Sequence, residues 1–273
     1  MAPQNLPPHP QLRTAVAAAD VAGEILKSYF RGTFNVHVKD GPDVVTQADL
    51  DAEKAILARI REEYPDDQFL AEESARDAVE SPRLWIIDPV DGTTNFLHGV
   101  PQFAVSIAYY ESGRPVCGVV YNPILGDWYT ALAGSGAWYN DEPARVSSAT
   151  ELEKALLATG FYYDRGPLME GTVEAVREVF RRGVHCVRRM GAASLDLAYV
   201  GTGRFGAYFE YLLSPWDFAA GRLFVEEAGG RVTDCLGAPL PMARTHILAT
   251  NGPLHGVVQE IAGKHLPAAS PKN

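Results

Sequence analysis

An α/β fold built from two halves is what the sequence predicts, and three observations predict it. Between residues 103 and 140 the segments FAVSIAYY, PVCGVVYNP, DWYTALAG and GAWYN are rich in aromatic and β-branched residues and are separated by the turn clusters ESGRP, NPILG and AGSG. That pattern is an antiparallel meander. From about residue 155 onward, strand-like and helix-like stretches alternate, which implies layers of helix on sheet. Between the two regions lies a polar, small-residue stretch, ARVSSATELE, that suits a boundary. The chain has 273 residues and a hydrophobic content of 47%, ample for a sizeable core in one large domain or two halves. No fixed-period repeat is present, which sets aside a solenoid or a propeller.

Taken in order, residues 1–10 (MAPQNLPPHP) are proline-rich and are expected to form a disordered or loosely attached tail. The first half then spans 11–146. Its run TAVAAADVAGEILKSYF predicts an amphipathic helix with Val21, Ile25 and Tyr29 four apart, ended by Gly32. A short strand, a loop at Gly41-Pro42 and a second helix follow, with Leu50, Leu57, Ile60 and Tyr64 as its expected buried stripe. The second half spans 147–266. It reads as strand (ALLATGF), helix (PLMEGTVEAVREVFRR), strand (HCVRRM), helix (SLDLAYVGTG) and strand (GAYFEYL). A helix then starts at Pro215 and ends at Gly229-Gly230, followed by the strands GGRVTD and THILATNG and a helix after Pro253. Residues 267–273 are expected to fray.

A formal charge of −10 and a pI near 5.2 argue against a protein that grips nucleic acid backbone, because Lys and Arg drive that binding. Small anionic substrates stay open if metal ions screen the site. Cys117, Cys186 and Cys235 are far apart and lack a C-x-x-C spacing, so neither a disulfide framework nor a zinc site is suggested. No basic-then-apolar leader and no membrane-length apolar run is visible, so a soluble cytoplasmic protein is expected.

The chemistry concentrates in WIIDPVDGTTNFLHG, residues 85–99. The apolar run Leu84–Ile87 reads as a strand ending at Asp88 and Pro89. Asp91 follows, Gly92 permits a tight path, and Thr93, Thr94 and Asn95 can each cap a helix. Two carboxylates beside a helix start suit a hard divalent cation and a phosphate group. The same residues also suit an ordinary turn. Glu72 and Glu73 follow Phe69, Leu70 and Ala71, a second acidic strand end expected one hairpin or loop before the Asp88 turn; an acidic pair on a surface turn is the plain alternative. Asp217 falls in the first turn of the helix that begins at Pro215, where the helix dipole alone favours an aspartate by about 0.3–1 kcal/mol. Thr46-x-x-Asp49 has the form of a capping box. His98, beside Phe96 and Leu97, reads as a packing residue and not a ligand, and Glu226 and Glu227 as solvent-facing or capping residues. No G-x-S-x-G elbow is present and no cysteine stands in a nucleophile context.

Residue for residue, DPVDGTTNFLHG resembles the signature of the inositol monophosphatase family of magnesium-dependent, lithium-sensitive phosphatases, and WDFAAG resembles the family's second signature. FLAEES and VTQAD are similar to its other acidic segments, and RRMGAASLDLAYV to its bacterial members; the resemblance runs from about Lys39 to Asn251. It implies a layered αβαβα sandwich of the inositol monophosphatase/fructose-1,6-bisphosphatase type, metals at the junction of the halves, and a homodimer. It implies two or three Mg2+ ions on Glu72, Asp88, the Val90 carbonyl, Asp91 and Asp217, with Val90 standing where many relatives have isoleucine or leucine. It assigns Asp49 the task of hydrogen-bonding Thr93, and Glu72 and Thr93 that of orienting and deprotonating a water. It names Asp91, Gly92, Thr93 and Asp217 as substrate-binding, with Gly92 and Thr93 offering N–H groups to the phosphate, gives polyol contacts to Gly191, Ala193 and Glu210, and matches Lys39 to a lysine on a loop near the metals. The implied reaction is in-line hydrolysis of a phosphate monoester, with inositol-1-phosphate first and fructose 1,6-bisphosphate, histidinol phosphate or a 3′-phosphonucleotide as alternatives. A bacterial relative's association with the transcription machinery adds a protein-partner role to the expectations.

Overall fold

The computed structural model describes residues 2–32, 36–38, 44–74, 81–161 and 165–268. In chain order the elements are α1 (Pro10–Tyr29), β1 (Val36–Val38), β2 (Val44–Thr46), α2 (Gln47–Glu63), β3 (Gln68–Ala71), β4 (Arg83–Asp91) and α3 (Thr93–Leu97). The meander follows as β5 (Ala104–Glu111), β6 (Arg114–Asn122), β7 (Asp127–Leu132), β8 (Gly136–Tyr139) and β9 (Glu142–Pro143). The second half contributes β10 (Leu156–Thr159), α4 (Pro167–Arg181), β11 (Cys186–Arg188), α5 (Ala193–Gly201), β12 (Ala207–Leu213) and α6 (Pro215–Glu227). It closes with β13 (Arg231–Thr233), β14 (Thr245–Thr250) and α7 (His255–His265).

A seven-stranded sheet takes the order β3-β4-β5-β6-β7-β8-β9 and a five-stranded sheet the order β11-β10-β12-β14-β13, with β1-β2 as a separate antiparallel pair. Successive strand residues face opposite sides, and here both sides are covered. Trp85, Ile87, Ile107 and Tyr109 pack outward against Leu12, Ala19, Leu26, Ile56 and Ile60 of α1 and α2. Their neighbours Leu84, Ile86, Ala108 and Tyr110 pack inward on α5 and α6, through Leu195, Leu197, Phe218 and Phe224, which also meet Tyr208, Ile247 and Ala249 of the second sheet. On that sheet's far face Leu157, Phe209 and Leu248 meet Ala175 and Val179 of α4 and Val258 and Ile261 of α7. Three apolar layers between five sets of elements make the αβαβα sandwich, and strands covered on both faces are apolar almost throughout, as β5 is. No helix among the described residues is long and apolar enough to cross a membrane.

Five expectations are corrected. The buried face of α1 is not the Val21 row: Val21 is 44% exposed, and the buried row is Leu12, Ala15, Ala18, Ala19, Ala22 and Leu26. Alanines let α1 lie close on α2 and the sheet, so close that a Cβ on Gly23 would strike the Tyr121 ring. In α2, Leu50 is 39% exposed while Ala48, Ala52 and Ile56 are buried, for the same reason of close approach. The stretch read as a loose tail is fastened: the N–H groups of Gln4 and Asn5 donate to Asp141 Oδ1 at 2.8 and 2.9 Å, and Leu6 packs on the α1–α2 core. Finally, β3 and β4 pair in parallel and so cannot form a hairpin. Glu227, expected to face solvent or to cap, instead accepts the N–H groups of Gly134 and Gly136 at 2.8 and 2.9 Å and pins the β7–β8 turn.

Candidate functional site

The parallel pairing decides where the first acidic residues go. Ala71 sits opposite Ile87, so the next residues, Glu72 and Asp88, leave the sheet at the same end, and Glu72 N–H donates to Ile87 O at 3.1 Å. β4 does not stop at Asp88. It runs through Pro89 to Asp91, but Asp88 pairs with Ser106 and Asp91 with Ala104, three steps on β4 against two on β5. One extra residue is therefore bulged out, where a proline without an N–H is tolerated. In a regular strand residues 88 and 91 would face opposite sides; the bulge turns both carboxylates towards the space between the sheets.

After β4, Gly92 takes φ +95°, and a side chain there would press on Gln102 O, Ala192 and Gly191 O at 3.1–3.2 Å. It is Gly92, and none of Thr93, Thr94 and Asn95, that caps α3. Asn95 instead fastens the turn, its Nδ2 donating to Gln102 O at 2.7 Å and to Met190 O at 2.9 Å. Asp91 reaches across the layer to the start of α5, accepting the N–H groups of Ala193 (3.1 Å) and Ser194 (2.7 Å) and the Ser194 hydroxyl. Asp217 occupies the third position of α6 and accepts Ser214 N–H at 2.7 Å in a capping box. The plain capping role and the site position thus coincide, as they do for Asp49, which accepts Thr46 N–H at 2.9 Å and approaches Thr93 Oγ1 at 3.1 Å.

These elements enclose a cavity of about 460 Å³ lined by Glu72, Asp88, Val90, Asp91, Gly92, Thr93, Gly191, Ala193, Glu210 and Asp217. Every site residue expected from the sequence lies on this wall except Asp49, which stands behind Thr93. His98 is not on the wall, and Lys39 lies outside the described residues. Sequence reasoning missed Arg189, Arg244, Phe161 and Trp216, which also line the cavity, and Ser194 behind it. Arg189 adjoins the Met190-Gly191 turn that Asn95 grips, a neighbourhood that only the cross-chain contact reveals. Ala193 N–H is committed to Asp91, so towards a ligand Ala193 offers a surface and not a donor.

Electrostatically the wall is under tension. Burial pushes Asp88 and Asp217 well above the usual carboxylate range, and neighbouring Glu72 and Asp91 push both further. Asp91 is pushed up to about 6 by burial, with the α5 hydrogen bonds holding it down. Glu210 is pushed up to about 7 by burial, opposed by the Tyr208 hydroxyl, which donates to it at 2.6 Å, and by Arg189. Desolvated like charges cannot all ionise without a counter-charge. Among the described residues the groups on the wall able to bind a cation are oxygens, with no thiol or imidazole beside them, a set that fits a hard divalent cation. Among the described residues no three acidic, histidine or cysteine side chains are already gathered as a ready-made metal cage. The three aspartates are instead each held to backbone N–H groups, Asp88 to Val90 (3.0 Å), Asp91 to α5 and Asp217 to Ser214.

Comparison with known proteins places the molecule among relatives. The sequence profile described as "Inositol monophosphatase family" matches residues 8–269. The chain is 41% identical over 265 residues to the Nus factor SuhB of Pseudomonas aeruginosa, covering 94% of this chain and 97% of that one. It is 39% identical over 252 residues to the fructose-1,6-bisphosphatase/inositol-1-monophosphatase of Thermotoga maritima, covering 89% and 94% respectively. The crystal structure of the extragenic suppressor protein suhB of Bartonella henselae superimposes with a TM-score of 0.89 at 40% identity, over 94% of this chain and 99% of that one.

Proposed function

The chain belongs to the inositol monophosphatase family, and on that footing we propose that it catalyses Mg2+-dependent hydrolysis of a phosphate monoester, with myo-inositol-1-phosphate the first substrate to test. The observation that carries this reading is the meeting of three acidic elements distant in sequence, Glu72, Asp88/Asp91 and Asp217, with Glu210 and the Gly92-Thr93 turn, on one cavity wall. Glu72, Asp88, Asp91, Asp217 and the Val90 carbonyl would hold Mg2+, two or three ions in all, which when bound supplies positive charge against the phosphate and acidifies a water. The protein's part is positioning. Gly92 and Thr93, at the start of α3, turn backbone N–H groups towards the phosphate. Thr93 Oγ1 lies 3.1 Å from Asp49 Oδ1 and 3.0 Å from Val90 O, and one hydroxyl proton can serve only one of them. With the Val90 carbonyl engaged, that proton points to Asp49, and the hydroxyl's lone pair faces the cavity to take a proton from the attacking water. Burial raises Asp49's proton affinity, which suits it to receive the Thr93 proton. Glu210 accepts polyol hydroxyls, with Gly191 and Ala193 shaping the wall beside it.

Phosphate release from D,L-inositol-1-phosphate, measured with Mg2+, with EDTA and with added Li+, tests the proposal. Turnover that needs Mg2+ and is blocked by Li+ supports it; a protein active only on fructose 1,6-bisphosphate, histidinol phosphate or a 3′-phosphonucleotide keeps the site and changes the substrate. The name of the Thermotoga relative keeps fructose 1,6-bisphosphate in that panel. The relatives named Nus factor SuhB favour a second reading, contact with the transcription machinery. Pulldown with and without Mg2+, using wild type and Asp91→Asn, separates a partner role from catalysis. A homodimer is proposed from family likeness, and sedimentation velocity measures it.

A further inference from the structure

α2 carries a second acid one turn beyond Asp49. Glu53 is only 2% exposed, although nothing about glutamate favours burial without partners. Among the described residues its partners lie in the turn that follows β3: Oε2 accepts Glu73 N–H at 2.8 Å, and Oε1 accepts the Ser74 hydroxyl. At i and i+4, Asp49 and Glu53 share one face of the helix. One therefore grips Thr93 and the other grips the residues directly after Glu72.

We propose that Glu53 is a positioning residue that fixes the Glu72 carboxylate for cation binding, so that α2 holds the two walls of the site, the Glu72 turn and the Thr93 turn, at a set separation. Glu72 is then pinned from both sides. Its own N–H is tied to Ile87 O on β4 at 3.1 Å, and the N–H of the next residue is tied to Glu53. The two bonds fix the backbone at residues 72 and 73, and with it the direction in which the Glu72 side chain leaves for the cavity wall it shares with Asp88. Without Glu53, the Glu73 N–H and the Ser74 hydroxyl lose their acceptor on α2, and the turn carrying Glu72 loses that tie to the helix. The inference rests on Glu72 being a cation ligand, as read above.

The test is equilibrium Mn2+ binding to the full chain, followed by the loss of the free-ion EPR signal, for wild type, Glu53→Gln, Glu72→Gln and the double variant. Glutamine keeps the volume of Glu53 but turns one acceptor into a donor. Residues that hold metal ligands typically contribute about 10–100-fold to affinity. Glu53→Gln is expected to weaken Mn2+ binding by about tenfold, and to add nothing in the Glu72→Gln background, because it acts through Glu72. A merely structural role would leave the Glu53→Gln effect undiminished in that background, and this outcome, or a change below twofold in the single variant, overturns the proposal. If Glu72→Gln itself binds Mn2+ like wild type, the reading of the site fails, which is a different result. Ser74→Ala removes one of the two turn contacts from an exposed residue and keeps the test open should Glu53→Gln misfold. It is expected to weaken binding about threefold, and wild-type binding by a folded Ser74→Ala protein also counts against the proposal.

Discussion

Single side chains at this site serve two structural masters, and their substitution should show both. Asp91 lines the cavity and also caps α5 through Ala193 and Ser194. Asp91→Asn retains one acceptor oxygen, so the fold should survive with a loss of about 1–2 kcal/mol, the scale of a helix cap, while phosphate release falls by orders of magnitude. Activity and a urea melt on the same sample check the two parts. Gly160 makes a subtler case, since a Cβ there would collide with the Glu210 carboxylate. Gly160→Ala should displace Glu210, costing about 1–3 kcal/mol as overpacking does, and should raise KM for the polyol ester more than it lowers kcat. Equal effects on both parameters would show that Glu210 does not touch the substrate.

Among the elements, the joint between α7 and the edge of the five-stranded sheet carries a pH signature. His255 at the start of α7 is buried, its ring nitrogens 3.0 Å from Thr233 Oγ1 on β13 and 3.0 Å from Thr250 Oγ1 on β14. Burial, aided by Arg231, lowers its pKa from 6.5 to about 4. The unfolded chain then binds the proton more readily than the folded one throughout that window. Stability is therefore complete above pH 6.5, declines as pH falls from 6.5 towards 4, and levels off below with respect to this group. His246, lowered by burial, acts in the same direction. The raised carboxylates of the cavity act the opposite way, so the histidine is read as a difference: the urea midpoint of wild type relative to His255→Asn should fall as pH drops from 6.5 towards 4, and a difference independent of pH would assign the effect elsewhere.

At the scale of the whole molecule, the cavity is where three layers meet: β3 and β4 from one sheet, β12 from the other, and α5 and α6 between them. Buried like charges at this meeting point set function against stability. Mg2+ at a hundred times its Kd should stabilise the fold by about 2.7 kcal/mol by mass action, seen as a rise in Tm that EDTA reverses. Asp217→Asn keeps an acceptor for Ser214 N–H but removes one repelling charge. It should melt higher than wild type in EDTA and lose most of the Mg2+-dependent rise. A variant less stable than wild type in EDTA would show that Asp217 is not strained by its neighbours.

The sequence by itself determined the element order, the meander and the alternating second half, because apolar periodicity and turn residues are local properties; its acidic motifs, together with the family resemblance they carry, named eleven site residues, of which ten line the cavity. Tertiary structure alone decided what depends on chain segments meeting. The parallel pairing of β3 with β4 cannot be read from two short apolar runs, yet it sets Glu72 beside Asp88. The bulge at Pro89 turns Asp91 to the same face, and register is a property of two strands and not of one. The buried alanine face of α1 in place of its Val21 row followed from how closely the helix lies on its neighbours. Arg244 and Glu53 lie in none of the recognised segments, Arg189 stands in one that assigns it no role, and the places of all three beside the site arise only when distant elements pack.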